Sequence, residues 1–147
     1  MREEKEFIEL LDIYYKSWFR INDIYRVWSK NHGIHDTTLF VLYVINDSPY
    51  CTQNEICDKL FLPKQTVSLI LSGLEDNGYI QREINPKDRR NKVVKFTEQG
   101  HKYAKAILDE LKAAEIEALS NMSEKQRKAM AEIFTSLPDL LSTRLSK

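Results

Sequence analysis

The sequence contains little glycine, proline or cysteine, and each shortage narrows the range of folds. Four glycines and four prolines in 147 residues are too few for the many turns of an all-β sandwich, so long helices are favoured. The two cysteines, Cys51 and Cys57, cannot form a disulfide framework and do not supply the four ligands of a structural zinc site. We therefore expect a mainly α-helical fold whose stability depends on neither cysteine.

Long uncharged segments are also missing. The longest, residues 37–46 and 65–74, have ten residues each, whereas a membrane-spanning helix needs about 20. Residues 1–6 are of mixed charge and lack the apolar segment of a signal peptide. We expect no membrane segment, a cytoplasmic location and, from the length, a single domain over residues 1–147.

Residue patterns typical of enzymes are absent as well. The three histidines are scattered along the chain, and there is no metalloprotease, serine-hydrolase or phosphate-binding loop motif. The sequence therefore predicts neither catalytic activity nor a bound cofactor.

The balanced total of 22 basic and 22 acidic residues conceals a basic middle segment. Residues 61–95 have a net charge of +3, and residues 82–95 alone have a net charge of +4. Such a segment is typical of nucleic-acid binding, but it is also typical of an ordinary solvated surface. The local structure around it has to decide between the two.

Apolar spacing predicts about six helices. From Phe7 to Trp28 apolar residues recur in alternating steps of four and three, which indicates one long helix over residues 3–30. This helix has more apolar surface than one small domain can cover. It is either a central buried helix or a helix shared with a second subunit, and we favour the second.

The middle of the chain has the pattern of two short helices and a β-hairpin. After a short apolar helix around residues 39–45, a capping pair of Thr52 and Glu55 begins one helix, and Pro63 precedes another over residues 64–77. Two β-rich runs follow, separated by the basic segment 85–91. This order is typical of a winged helix-turn-helix, in which the second helix enters the DNA major groove and the hairpin, or wing, contacts phosphates or the minor groove.

Three motifs lie within this pattern, between Thr52 and Gly100: Pro63-Lys64-Gln65-Thr66-Val67-Ser68, Leu74-Glu75-Asp76-Asn77-Gly78-Tyr79-Ile80, and Asp88-Arg89-Arg90 leading into Val94-Lys95-Phe96-Thr97-Glu98-Gln99-Gly100. With these motifs the stretch resembles the DNA-binding core of the MarR family, the multiple-antibiotic-resistance-type regulators. The resemblance implies a winged helix-turn-helix lobe over residues 35–97, with dimerisation helices over residues 1–30 and 98–147. It also implies a homodimer that binds pseudo-palindromic double-stranded DNA.

The resemblance assigns roles to individual side chains. It implies that Gln65, Thr66 and Ser68 face the major groove. In the wing it implies that Arg90 enters the minor groove or pairs with phosphate, while Asp88 holds it or a neighbouring arginine in place. The full predicted DNA-binding set is Lys64, Gln65, Thr66, Ser68, Lys87, Asp88, Arg89, Arg90 and Lys92.

This sequence departs from the family pattern on the second helix. Leu69 stands where many members have arginine, and Gly73 replaces a frequent polar or basic residue. We therefore expect the wing to carry more of the binding than it does in other members.

An effector pocket is implied too, between the dimerisation helices and the DNA-binding lobe. Tyr14, Trp18 and Tyr43 are the predicted lining, suited to a flat aromatic or phenolic ligand whose binding releases the DNA from a repressor. Aromatic residues at helical spacing are equally typical of a plain core.

Three alternatives stay open at this point. A metal sensor could use His35, Asp36 and His101, and an oxidation sensor could use Cys51 or Cys57. A winged helix can also serve protein contacts without specific DNA binding, although the basic wing disfavours that role.

Overall fold

The computed structural model describes residues 1–146, and over that range the chain forms six helices and one three-stranded antiparallel sheet. The elements in chain order are α1 (Arg2–Asn31), α2 (Asp36–Asp47), β1 (Cys51–Thr52), α3 (Gln53–Leu60), α4 (Lys64–Asp76), β2 (Ile80–Glu83), β3 (Val93–Phe96), α5 (Glu98–Ser120) and α6 (Glu124–Leu145). The predicted mainly α-helical fold with a small β-hairpin wing is confirmed.

The chain divides into two compact units, Met1–Leu108 and Asp109–Lys147. The first unit contains α1 to α4, the sheet and the start of α5. The second contains the rest of α5 and α6. The first turn of α6 is fixed by a reciprocal capping box, in which the Ser123 hydroxyl accepts from the Gln126 N–H at 3.1 Å and the Gln126 side chain accepts from the Ser123 N–H at 2.9 Å.

The core of the first unit surrounds α2. Leu39, Val41 and Leu42 are fully buried, and α2 contacts α1, α3, α4 and β3. Because α2 is apolar on most of its circumference, it can be covered on several sides at once. The prediction of a short apolar helix around residues 39–45 is confirmed, and the structure buries it.

The sheet has the order β1-β3-β2. The hairpin of β2 and β3 pairs Ile80 with Phe96 and Glu83 with Val93, as the two β-rich runs predict. Strand β1 was not predicted. It has only two residues and pairs Cys51 with Val94, too short a segment to display an alternating pattern.

The turn between α3 and α4 contains a residue in an unfavourable backbone conformation. Phe61 adopts φ 54° and ψ 41°, the left-handed region, and its side chain is 91% exposed. Helices commonly end in this conformation, but the terminating residue is usually glycine or asparagine. Phenylalanine costs about 1 kcal/mol here, and no burial of its ring offsets that cost.

We therefore expect Phe61→Asn to stabilise the protein by about 1 kcal/mol, since asparagine enters the left-handed region with less strain. Urea denaturation followed by circular dichroism measures the change. Phe61→Leu is the matched control, because it retains an apolar side chain that also disfavours this conformation, and it should leave the midpoint unchanged. An unchanged or lower midpoint for Phe61→Asn would contradict the strain at this turn.

Helix α1 is largely exposed in the single chain. Ser29 is the one buried residue along it, whereas Phe7, Leu11 and Ile21 are each about half exposed, at 56%, 49% and 48%. The interpretation of α1 as a central buried helix of one subunit is therefore wrong. Among residues 1–146, no helix combines the length and apolar character that crossing a bilayer requires.

Candidate nucleic-acid interface

The outer surface of α4 begins with the predicted recognition residues. Lys64, Gln65 and Thr66 are exposed on its first turn, and Ser68 is half-buried. Val67 and Leu71 on the opposite side are fully buried, so the packing of α4 fixes which side faces solvent. The structure brings the four residues together at one end of one helix.

The N-terminal end of α4 is electrostatically suited to a phosphate. Pro63 precedes the helix, and its first turn has no acidic residue. The unpaired N–H groups there carry a partial positive charge, and Lys64 adds a full one. A DNA backbone can therefore approach this end without repulsion.

The wing tip is ordered by hydrogen bonds between side chains and backbone N–H groups of the same loop. The Asp88 carboxylate accepts from the Arg90 N–H at 3.0 Å, and the Asn85 side chain, which is buried, accepts from the Lys87 N–H at 3.1 Å. Asp88 thus contacts Arg90 through the backbone rather than through the guanidinium. The Arg90 side chain remains exposed on a tip of fixed conformation.

The base of the wing is hydrogen-bonded to α3. The Asn91 side chain accepts from the Asn54 N–H at 2.9 Å, and the Lys92 carbonyl accepts from the Gln53 N–H at 2.9 Å. Both donors belong to the first turn of α3, where N–H groups lack partners within the helix. Sequence reasoning missed Asn91, because its partner lies 37 residues away and no local pattern marks it.

Two cations of residues 82–95 form ion pairs with carboxylates of the same chain. The Arg82 guanidinium donates to both oxygens of Glu75 on α4, at 3.1 and 3.4 Å, and Lys95 pairs with Glu83 at 3.1 Å. The hydrogen bond from Arg82 holds the pKa of the Glu75 carboxyl below its ordinary value. Of the predicted wing cations, Lys87, Arg89 and Arg90 are exposed and Lys92 is half-buried.

The predicted effector residues lie on two helices. Tyr14 and Trp18 are neighbours on α1, with ring centroids 5.8 Å apart, and Trp18 also stacks on Phe19. Tyr43 lies on α2 and is 56% exposed. None of the ring contacts among residues 1–146 joins it to that aromatic cluster.

The alternative sensing roles gain no structural support. Among residues 1–146 no three His, Cys, Asp or Glu side chains are grouped as metal ligands. Burial raises the pKa of the Cys51 thiol to about 12 and also raises the pKa of Cys57. Both thiols stay protonated at neutral pH, and the protonated form is a poor nucleophile toward oxidants.

Helix α3, its turn, α4 and the β2–β3 hairpin together define the class of a winged helix-turn-helix protein. The sequence model of the MarR family matches residues 32–91. Among curated proteins, the chain is 32% identical over 79 residues to the uncharacterized helix-turn-helix regulator YkoM of Bacillus subtilis, covering 54% of this chain and 51% of that one. The match thus spans about half the length of that relative.

Solved structures share the fold over nearly the whole chain. The MarR family regulator NMB1585 of Neisseria meningitidis superposes with a TM-score of 0.81 at 23% identity, covering 93% of this chain and 96% of that one. FabT of Streptococcus pneumoniae, solved in complex with DNA, superposes with a TM-score of 0.73 at 24% identity, covering 92% and 97%. The comparisons thus show a match to the MarR family model over residues 32–91 and a shared fold over nearly the whole chain.

Proposed function

We propose that this protein is a transcriptional repressor that binds a pseudo-palindromic double-stranded DNA operator as a homodimer and leaves it when a small aromatic ligand binds. The observation that carries DNA binding is the wing: its accessible cations lie on a loop whose base is hydrogen-bonded to α3, the helix that precedes the recognition helix α4. Because the wing is hydrogen-bonded to the helix-turn-helix, its phosphate-binding groups keep a constant position relative to the base-reading groups of α4. The DNA complex of FabT, which has a related fold, supports the same role.

The selection of DNA from a random duplex pool by the purified protein tests sequence-specific binding. Sequencing of the retained fragments should yield a pseudo-palindrome with half-sites about one helical turn, or roughly 10 base pairs, apart, because a two-fold dimer presents two α4 helices. A retained pool without an enriched sequence would contradict the proposal.

We expect Arg90→Ala to weaken binding to every duplex by a similar factor, because a wing arginine contacts phosphate or groove shape rather than base edges in the major groove. The slope of log affinity against log salt should flatten by about 0.9 for each phosphate that the variant no longer neutralises. Fluorescence anisotropy at several salt concentrations measures both. The matched control is Lys125→Ala, which removes an exposed cation of α6 and should change neither value. Wild-type affinity in Arg90→Ala would refute the role of the wing.

The exposed aromatic cluster on α1 supports the effector role. Trp18 is 48% exposed and Phe19 64% exposed, which gives a flat ligand two stacked rings to contact. A coupling of about 1 to 3 kcal/mol between ligand and DNA would lower DNA affinity roughly 5- to 150-fold.

We expect small aromatic acids to raise the melting temperature of the wild type and to release its operator. Trp18→Ala should remain folded, because the side chain is half exposed in the single chain, and should lose both responses while sedimenting as the wild type does. Loss of the dimer in this variant would instead place Trp18 in the subunit interface and refute the ligand site. Thermal shift and anisotropy provide the two measurements. If no aromatic acid stabilises the wild type, or if Trp18→Ala responds as the wild type does, the effector site on α1 is refuted.

A further inference from the structure

The centre of the recognition surface on α4 is apolar. Leu69 is 76% exposed, and it follows Gln65 by four residues and precedes Gly73 by four, so the three positions lie along one line of the helix. The neighbouring apolar residues Val67 and Leu71 are fully buried. Leu69 thus contributes little to the core, and its exposure calls for an explanation outside the fold.

The surroundings of Leu69 favour DNA as the partner. The first turn of α4 contains Lys64 and no acidic residue, and the wing adds the accessible cations Lys87, Arg89 and Arg90. One turn beyond Leu69, a Cβ built on Gly73 meets no atom within 4 Å. The helix turn before Leu69 is therefore positively charged, and the turn after it has no side chain at Gly73, which permits the close approach of a polyanion.

The chemistry of the major groove leaves one target for such a side chain. Base edges there present hydrogen-bond donors and acceptors, together with a single apolar group, the C5-methyl of thymine. A leucine side chain has neither donor nor acceptor, so contact with a polar edge would leave that edge unpaired. We propose that Leu69 recognises the C5-methyl group of a thymine in each operator half-site.

This inference rests on the proposed function, because it names one base contact of the operator complex. Burial of one methyl group corresponds to about a fourfold change in affinity. Removal of that group from both half-sites corresponds to about 15-fold. The contact should therefore be measurable at single thymines.

Deoxyuridine scanning of the selected operator tests the contact, since deoxyuridine differs from thymidine only by the missing methyl group. Each thymine of a half-site is replaced in turn, and duplex affinity is measured by anisotropy for the wild type and for Leu69→Ala. For the wild type, one position should show about a fourfold loss of affinity. For Leu69→Ala, that position should show no loss, while its affinity for the unmodified operator should already be reduced.

Two further measurements make the result decisive. Circular dichroism of Leu69→Ala should match the wild type, because the side chain is largely exposed. Leu69→Met retains an apolar side chain and should keep sensitivity to the same methyl group. A wild type that binds its operator specifically but tolerates deoxyuridine everywhere refutes the role of Leu69 alone. The same holds if Leu69→Ala keeps the wild-type sensitivity. A wild type that selects no sequence refutes the proposed function, and the thymine contact with it.

Discussion

Gly100→Ala is expected to destabilise the protein by about 4 kcal/mol or more, near the upper end for a single substitution. A Cβ at position 100 would lie 1.7 Å from the carbonyl oxygen of Tyr79 and 2.5 Å from its carbonyl carbon. Both are backbone atoms, so no side-chain rotation relieves the overlap.

The segment around Tyr79 is also held in place by other contacts. Its carbonyl oxygen accepts from the Thr97 N–H at 3.0 Å, and its ring stacks on Tyr103 with centroids 4.3 Å apart. The Thr97 hydroxyl donates to the Gly78 carbonyl at 2.6 Å and accepts from the Gly100 N–H at 3.0 Å. A movement that admits the extra carbon would break several of these contacts at once.

Urea denaturation measures the decrease in stability, and Gly73→Ala is the matched control. Gly73 lies inside α4, and a Cβ there meets no atom within 4 Å. Alanine at that position should stabilise the helix by about 0.5 to 1 kcal/mol, because glycine loses more backbone freedom on folding. Equal midpoints for Gly100→Ala and the wild type would show that the two segments are not in close contact.

The double substitution Leu11→Glu with Ile21→Glu is expected to convert a dimer to monomers. Both side chains are about half exposed on α1, on the apolar stripe that recurs every three and four residues. Burial of two carboxylates in an apolar interface without partners costs several kcal/mol. The dimer should therefore weaken by at least about 100-fold.

Analytical ultracentrifugation measures the assembly. The wild type should sediment as twice the 17.3 kDa chain and the variant as a single chain, with operator affinity reduced by about two orders of magnitude or more because the linked second site is missing. Ser17→Glu with Asn22→Glu adds the same charge at exposed polar positions of α1 and should remain dimeric. A wild-type monomer at micromolar concentration would contradict the dimer.

The elements that the sequence predicts well are those set by local pattern. The helix of residues 3–30 and the hairpin of residues 79–96 follow from apolar spacing and β propensity, and the structure places α1 at Arg2–Asn31 and the two hairpin strands within that range. The exposure of α1 was also foreseeable, since its apolar residues outnumber what one small core can cover.

The features that sequence reasoning missed depend on partners far apart in the chain. Arg82 counts as part of a basic segment until its pairing with Glu75 on another element is seen. Asn91 looks like an ordinary loop residue until its bond to the Asn54 N–H is seen. Tyr43 shares aromatic character with Tyr14 and Trp18, but spacing along separate helices does not give the distance between them.

The hydrogen bonds from Gln53 and Asn54 to the base of the wing divide the hairpin into two parts. The sequence and length of one part can change without affecting the other. Residues 91 and 92 are held by α3, whereas the exposed segment from Pro86 to Arg90 is tied only within its own loop. In the proposed DNA complex, insertions or deletions in that segment would alter how far along a duplex the arginines extend, while the base of the hairpin keeps its place beside the helix-turn-helix. Proteins of this fold could therefore differ in the length of DNA that they contact through the length of this loop alone, while the fold stays the same.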